Sequence, residues 1–426
     1  MMSTPGTHGR VPAPLRGLPD GFERAAIIDP AAIRHNVETI ASYVSPAKLM
    51  VAVKADGYGH GAVTAARAAV EAGADWIGVA HVTEALALRE AGIEVPVLAW
   101  LHTSQTDFAE AITQNIDIGI SGWELEEVAA AASALQTPAH VHLKIDTGLG
   151  RNGCTVAEWP ELVARAAEHQ DRGLLSVVGI FTHLAVADEP DRRETDEQLE
   201  VYQAALKVAE EAGLSVSLRH VANTPAAFSR PDAHFDMVRV GVGVYGQSPF
   251  ADRTAEDLGL RPAMELRTRV ANVKRVPSGQ GISYGLTHRV DRPTALALIP
   301  LGYGDGVPRI AVHAPVQISG RTYQSVGRVA MDQFVVDLGD PDTEVQVGDE
   351  VVLFGGDSGI SAADWGRAAQ TINYEIITRI GGRVPRLVAD SSGPASAAEP
   401  GQAKAGRTAD AVVGLPGAGS LEEDSP

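Results

Sequence analysis

Between residues 48 and 240, short apolar runs alternate with stretches whose apolar positions recur at helical spacing. The runs fall at 48–53, 76–80, 96–100, 116–120, 141–145, 176–181, 217–221 and 237–240. They are rich in Val and Ile and of strand length. The intervening stretches, among them 62–71, 84–90, 124–132 and 194–211, are rich in Ala and Glu. Eight strands separated by helices predict an α/β chain folded as a (β/α)8 barrel of the TIM type, with a doubly wound sheet as the alternative. A further helix is predicted before the first run. Asp29 suits its N-cap, Pro30 its first turn, and Ile33, Val37, Ile40 and Val44 make one apolar stripe. After about residue 258 the texture changes to β-branched runs with Gly and Pro turns, at 267–276, 294–301, 316–319, 333–338 and 350–354. That pattern predicts a smaller all-β C-terminal domain. The expected organisation is a flexible extension over 1–21, the barrel over 22–257, the β domain over 258–390 and a disordered tail over 391–426.

Composition narrows the function classes. Charged residues are 21% and hydrophobic residues 45% of 426, and every long apolar run is broken by Gly or charge, so no membrane span is expected. The amino terminus lacks the continuous apolar stretch of a secretory signal. A net charge of -19 without a basic patch argues against nucleic-acid or anionic-lipid partners. The lone cysteine, Cys154, has no partner for an intrachain disulfide and fits a cytoplasmic protein.

A barrel gathers chemistry at the carboxyl ends of its strands. Lys54 leaves the first run in Val51-Ala-Val-Lys-Ala-Asp-Gly-Tyr-Gly-His-Gly61, where partial desolvation would lower its pKa and make a nucleophilic amine. A surface lysine closing a strand is the alternative. Arg151, His183, Asn223, Thr224 and Arg239 follow later runs onto the same rim. Thr224, Gly241 and Val242 lie where barrels often bind phosphate. Taken singly, Arg151 is explained as well by pairing with Asp146, His183 by core packing, and the glycines at 241 and 243 by close packing. Tyr58, Tyr284, Tyr303 and Tyr374 sit in Gly- or Asn-flanked turns. Asp305 and Asp332 lack partners at ligand spacing, so no metal is expected and both read as turn residues.

These segments resemble the alanine racemases, barrel-fold (fold type III) pyridoxal-phosphate enzymes, over about residues 22–388. The resemblance rests on Val53-Lys-Ala-Asp-Gly-Tyr-Gly-His60, Lys144-Ile-Asp-Thr-Gly-Leu-Gly-Arg151, Phe181-Thr-His183, Asn223-Thr224, Tyr284-Gly285, Gly302-Tyr303, Met331-Asp332 and Ile372-Asn-Tyr374, in that order. It implies an isomerase that interconverts L- and D-alanine, supplying D-alanine for peptidoglycan, with pyridoxal 5'-phosphate as cofactor. By resemblance, Lys54 binds the cofactor covalently and is the base on the D face, and Tyr284 is the base on the L face. Tyr284 would come from a second subunit, which implies a homodimer with shared sites. Arg239 would donate to the pyridine nitrogen and His183 would link it to the tyrosine. Arg151 would contact the phenolic oxygen and the substrate, held by Lys144, which is carbamylated in many relatives. Tyr58, Asn223, Thr224, Gly241, Val242 and Tyr374 would surround the cofactor, and Met331, Tyr303 and Asp332 the substrate carboxylate. Departures from the usual family pattern are Thr224 for serine, Val240 for proline, Gly304 for alanine and Ala330 for cysteine. None removes a proposed base.

Three rival readings remain. A barrel-fold decarboxylase would normally carry a cysteine motif in the β domain, whereas Cys154 lies in the barrel half. A non-catalytic pyridoxal-phosphate-binding protein would need no β domain. A broader-specificity amino-acid racemase is commonly exported behind a signal peptide.

Overall fold

The computed structural model describes residues 17–389 and 396–397. The first strand, β1 (Arg24–Ile28), precedes the helix Pro30–Val44. That helix starts where the sequence marks it: the Asp29 side chain accepts from the Ala31 N–H at 2.8 Å, and Pro30 opens the first turn. Its buried face holds Ile33, Val37, Ile40 and Val44, each worth roughly 1.5–3 kcal/mol removed from water.

Eight parallel strands follow: β2 (Lys48–Ala52), β3 (Trp76–Val79), β4 (Val97–Ala99), β5 (Asp117–Ile120), β6 (Ala139–Lys144), β7 (Leu175–Phe181), β8 (Leu218–His220) and β9 (Met237–Val240). They are hydrogen-bonded in the order β8, β7, β6, β5, β4, β3, β2, β9. Two backbone bonds draw the remaining edges together, Asp236 N–H to Arg219 C=O at 3.1 Å and Arg239 N–H to Ala222 C=O at 2.9 Å. The sheet is therefore a nearly closed barrel, and the doubly wound alternative is excluded. Strand periodicity divides the side chains. Leu49, Val51, Ile77, Val79, Val97, Ile118, Val141 and Leu143 join the large core shared with the helices. Met50, Trp76, Leu98, Leu218 and Met237 form a second cluster with Trp100 against it. Gly78 makes room here, since a Cβ at that position would stand 2.6 Å from the Trp100 ring and 2.9 Å from Met50 Sδ.

The remaining strands build the second domain around a ten-stranded, mostly antiparallel sheet. Two short helices, Ala362–Ala368 and Asn373–Thr378, interrupt it; the reading of this region as all strand and turn did not foresee them. β1 was not foreseen either. It lies in the β sheet and not in the barrel, pairing antiparallel with β10 (Met264–Arg269) and parallel with Arg386–Val388. Ahead of it, within the stretch expected to be a loose extension, Leu18 is buried with Ala25 and Leu387, and its N–H donates to Glu350 at 2.8 Å. Of the tail from 391, expected to be disordered, Ser396–Ala397 pairs with Leu387 and Val388, and the rest lies outside the described residues, as do residues 1–16.

Candidate active site

Lys54 follows β2 at the carboxyl-terminal mouth of the barrel, and the next residues explain how it is aimed. Ala55, Asp56, Gly57 and Tyr58 all have left-handed backbone, with φ of 54°, 52°, 61° and 52°. Each non-glycine residue held this way costs about 1 kcal/mol or more. Neighbours over-determine the turn. The Ala55 N–H donates to Glu84 at 2.7 Å, the Asp56 carboxylate accepts from the Ala62 N–H at 2.8 Å, and His60 Nδ1 lies 3.0 Å from the Gly57 carbonyl. The turn faces Lys54 into a cavity and folds the Tyr58 ring back against Tyr245, with centroids 4.9 Å apart.

The cavity holds about 860 Å³ and is lined by Lys54, Tyr58, Lys144, Arg151, His183, Asn223, Thr224, Arg239, Gly241, Val242 and Tyr374, with Asp188 as the one lining carboxylate among the described residues. All eleven of those residues were expected at the site from the sequence. Five cations line the cavity, Lys54, Lys144, Arg151, Arg239 and Arg367, and the consequences are visible in the proton affinities of the lysines. Burial lowers the Lys54 pKa, Arg151 lowers it further and Glu84 opposes the shift. Lys144 is pushed down to about 8, first by burial and then by Arg239 and Arg151. His183 is held well below the ordinary histidine value by burial and by the same cations. Its ring is therefore neutral at physiological pH.

Arg239 is buried and held to about 10 by desolvation. Its guanidinium donates to the carbonyls of His220 and Thr182, both at 2.6 Å, and lies 3.5 Å from His183 Nδ1. No carboxylate pairs with it among the described residues, and its Nε makes no hydrogen bond there. Just past the end of the same strand, β9, the Gly241 N–H donates to Thr224 Oγ1 at 3.0 Å. A Cβ at Gly241 would stand 2.2 Å from the Tyr58 hydroxyl, so only glycine admits that phenol. Burial pushes Tyr58 up to about 12 and raises Tyr374 as well, keeping both phenols protonated as donors. Asn223 spends its side chain locally, accepting from the Ala226 N–H at 3.3 Å.

Two domain models match the chain, alanine racemase N-terminal domain over residues 28–249 and alanine racemase C-terminal domain over residues 263–388. The chain belongs to the alanine racemase family. It is 51% identical over 366 residues to the alanine racemase of Thermobifida fusca (strain YX), covering 85% of this chain and 97% of that protein. The alanine racemase of Streptomyces coelicolor is 49% identical over 372 residues, covering 85% and 95%. A solved alanine racemase from D-cycloserine-producing Streptomyces lavendulae superposes with a TM-score of 0.84 at 48% identity, covering 86% of this chain and 97% of that one. The family is one of isomerases.

Four residues expected at the site stand apart from the cavity. Tyr284, Met331 and Tyr303 are 65%, 52% and 39% exposed, and Asp332 is exposed with its carboxylate 2.8 Å from Arg383. They occupy one face of the second domain. Tyr303 and Gly304 donate their N–H groups to the carbonyls of Ala330 and Met331 at 3.0 and 2.8 Å, and Ser283 Oγ donates to the Arg328 carbonyl at 2.6 Å. Asp305, read as a turn residue, is fully buried. It accepts from the Gly302 N–H at 2.9 Å and pairs with Arg24 and Arg383 at 3.2 and 3.1 Å, fixing the turn that presents Tyr303. Among the described residues no group of three or more His, Cys, Asp or Glu side chains is placed to hold a metal ion, and no helix is long and apolar enough to cross a membrane.

The depressed Lys144 amine makes stability depend on pH in a definite direction. An unfolded lysine titrates near 10.4. Between about 8 and that value the unfolded chain binds the proton that the folded chain has lost, so stability rises with pH. In carbon-dioxide-free buffer the apoprotein should gain about 3 kcal/mol relative to Lys144→Met as pH climbs across this window. Urea unfolding of both proteins at several pH values measures the difference, and parallel curves would exclude a strained Lys144 ammonium.

Proposed function

We propose that this chain interconverts L- and D-alanine with pyridoxal 5'-phosphate bound at the barrel mouth, and that two copies complete each site. The carrying observation is the convergence of Lys54, Lys144, Arg151 and Arg239, together with Arg367, on one cavity lined by a single carboxylate among the described residues. An anionic cofactor relieves that crowding. Protonated Tyr58 and Tyr374, with Thr224 and the backbone at Gly241 and Val242, suit a phosphate, while Asn223 shapes the adjoining wall. The free Arg239 Nε suits a ring nitrogen. Bound there, pyridoxal phosphate supplies the electron sink that makes the α-proton of an attached amino acid removable.

The protein's own task is to hold and move that proton. A lowered Lys54 pKa leaves more free amine near neutral pH, and a free amine can take a proton from the D face and return one. Tyr284 of the partner subunit would serve the L face. Its phenol needs nearby positive charge to ionise, which Arg239 provides, with the neutral His183 ring linking the two. Arg239 stays protonated at neutral pH and is a far weaker acid than a pyridinium, so it would leave the ring nitrogen unprotonated and the sink weak, which favours reprotonation over side reactions. Arg151 would orient the substrate and the cofactor's phenolic oxygen. Lys144, depressed to about 8, keeps part of its amine free to take up carbon dioxide with loss of a proton; the resulting carbamate would attract Arg151 where the ammonium repels it. The exposed Tyr303, Met331 and Asp332 would close the substrate's carboxylate end from the partner side and exclude larger side chains. Exposed apolar clusters of this kind mark interfaces. The reducing cytoplasm fits a chain whose one thiol, Cys154, is buried and unpaired.

One experiment tests activity, cofactor and specificity together. The protein is given a panel of L-amino acids while its visible absorbance is recorded. Alanine is expected to racemise fastest. Comparable rates on large side chains would favour the broader-specificity reading, and absorbance without racemisation the non-catalytic one.

A further inference from the structure

Below the cavity, the barrel interior carries polar side chains that the reaction above leaves without a role. Asp117 opens β5, His142 lies midway along β6, His220 ends β8 and Arg239 is on β9. His142 Nε2 is 3.1 Å from Asp117 Oδ2, His142 Nδ1 is 2.9 Å from His220 Nε2, and His220 Nδ1 is 3.2 Å from Arg239 Nη1. The sequence reading passed over all but the arginine. A signal was present: His140, His142 and Lys144 alternate on one face of a strand whose other face is apolar.

The two ends of this line determine every proton in it. A guanidinium only donates and a carboxylate only accepts. Arg239 therefore donates to His220 Nδ1, His220 donates from Nε2 to His142 Nδ1, and His142 donates from Nε2 to Asp117. All three links run the same way. Burial and the neighbouring His142 and Arg239 hold His220 well below the ordinary histidine value, which keeps it neutral as the chain requires. Burial pushes Asp117 up, yet hydrogen bonds from His140 and His142 more than offset it and hold the carboxyl below its usual range. Half-exposed His140, 3.7 Å from Asp117 Oδ1, and the Arg89 guanidinium, whose proton affinity Asp117 raises, also face this carboxylate.

Packing keeps the line in place. The His220 ring stacks on Phe181 with centroids 4.9 Å apart and planes 4° from parallel, and meets His142 edge-on at 5.0 Å. Trp76 closes the other side of His142 at 5.3 Å. Gly179 supplies the space, because a Cβ there would fall 2.5 Å from His142 Nδ1. Because Arg239 has no carboxylate of its own among the described residues, Asp117 is the negative charge to which its hydrogen bonds lead.

We propose that Asp117 is a positioning residue for the racemase site, fixing through His142 and His220 the orientation in which Arg239 presents its Nε to the cofactor ring. This rests on the reading that Arg239 faces that ring. In Asp117→Asn the shape is kept and the charge is lost. An amide N–H aimed at His142 would reverse both ring tautomers and set His220 Nδ1–H against the arginine.

The test uses histidine-labelled protein and three variants. Nitrogen NMR of the wild-type apoprotein is expected to show His142 and His220 as neutral Nε2–H rings; either ring protonated at Nδ1 instead overturns the relay. In holoenzyme, Asp117→Asn is expected to lower kcat by about tenfold at little change in KM. It is also expected to move the cofactor absorbance in the direction that Arg239→Lys moves it. Combined with Arg239→Lys it should add less than about twofold, because the two act through one contact. A folded Asp117→Asn with wild-type absorbance and kcat overturns the proposal. If Arg239→Lys itself leaves the absorbance unchanged, the placement of Arg239 fails, and the apoprotein tautomers still decide whether the relay exists.

Discussion

Lys54→Ala is expected to give a folded protein that racemises alanine at least about 10⁴-fold more slowly and loses its visible absorbance on dialysis. Both losses follow from one amine. It is the lysine brought to the mouth by the left-handed turn over Ala55, Asp56, Gly57 and Tyr58. Burial and Arg151 lower its proton affinity. Lys144, the other lysine of the cavity, ends β6 and stands over Phe181, with its amine 5.5 Å from the ring centre. A dialysis-resistant band in Lys54→Ala would move the covalent role to Lys144 or remove it altogether.

Tyr284→Phe carries the second large effect. Losing the hydroxyl alone is expected to slow racemisation by roughly 10²–10⁴-fold while the bound cofactor's absorbance persists. The loss should be sided. In deuterated water the variant is expected to keep α-proton exchange with D-alanine, served by Lys54, and to lose it with L-alanine. Equal loss of both exchanges would exclude Tyr284 as the base of one face. Since Tyr284 is 65% exposed and outside the cavity of its own chain, its partner matters. Equal mixing of Lys54→Ala with Tyr284→Phe subunits is expected to restore about one quarter of wild-type activity, because half of the dimers then hold one intact site of two. Verified mixed dimers with no activity would refute sharing between subunits.

Much of this arrangement is legible in the amino-acid sequence. The barrel strands announce themselves because most are short runs largely buried on both faces between helical-period stretches. The Asp29-Pro30 start is local chemistry, readable from two residues. β1 was missed for the opposite reason. Its Arg-Ala-Ala-Ile-Ile run is strand-like, but its partners are β10 and Arg386–Val388, and no local pattern reports a pairing across most of the chain. The helices Ala362–Ala368 and Asn373–Thr378 are too short for a full period to stand out. At the site, the rim residues were legible from the rule that strand ends carry chemistry. Their separation into a cavity set and an exposed set on the second domain was not, because sequence order says nothing about which surface a β-domain loop faces. The Asp117, His142 and His220 line was hidden for a further reason: polar residues within a barrel strand read as interruptions of a core until their mutual distances are known.

The place of β1 has a consequence for how the molecule is made. During synthesis its unsatisfied edges leave the ribosome long before either neighbouring strand exists, so the β domain cannot close until the last part of the chain is translated. The barrel can fold in the interval, tethered to a waiting ribbon. A fragment beginning at Asp29 would contain every residue assigned to chemistry and still leave β10 and Arg386–Val388 facing an empty slot.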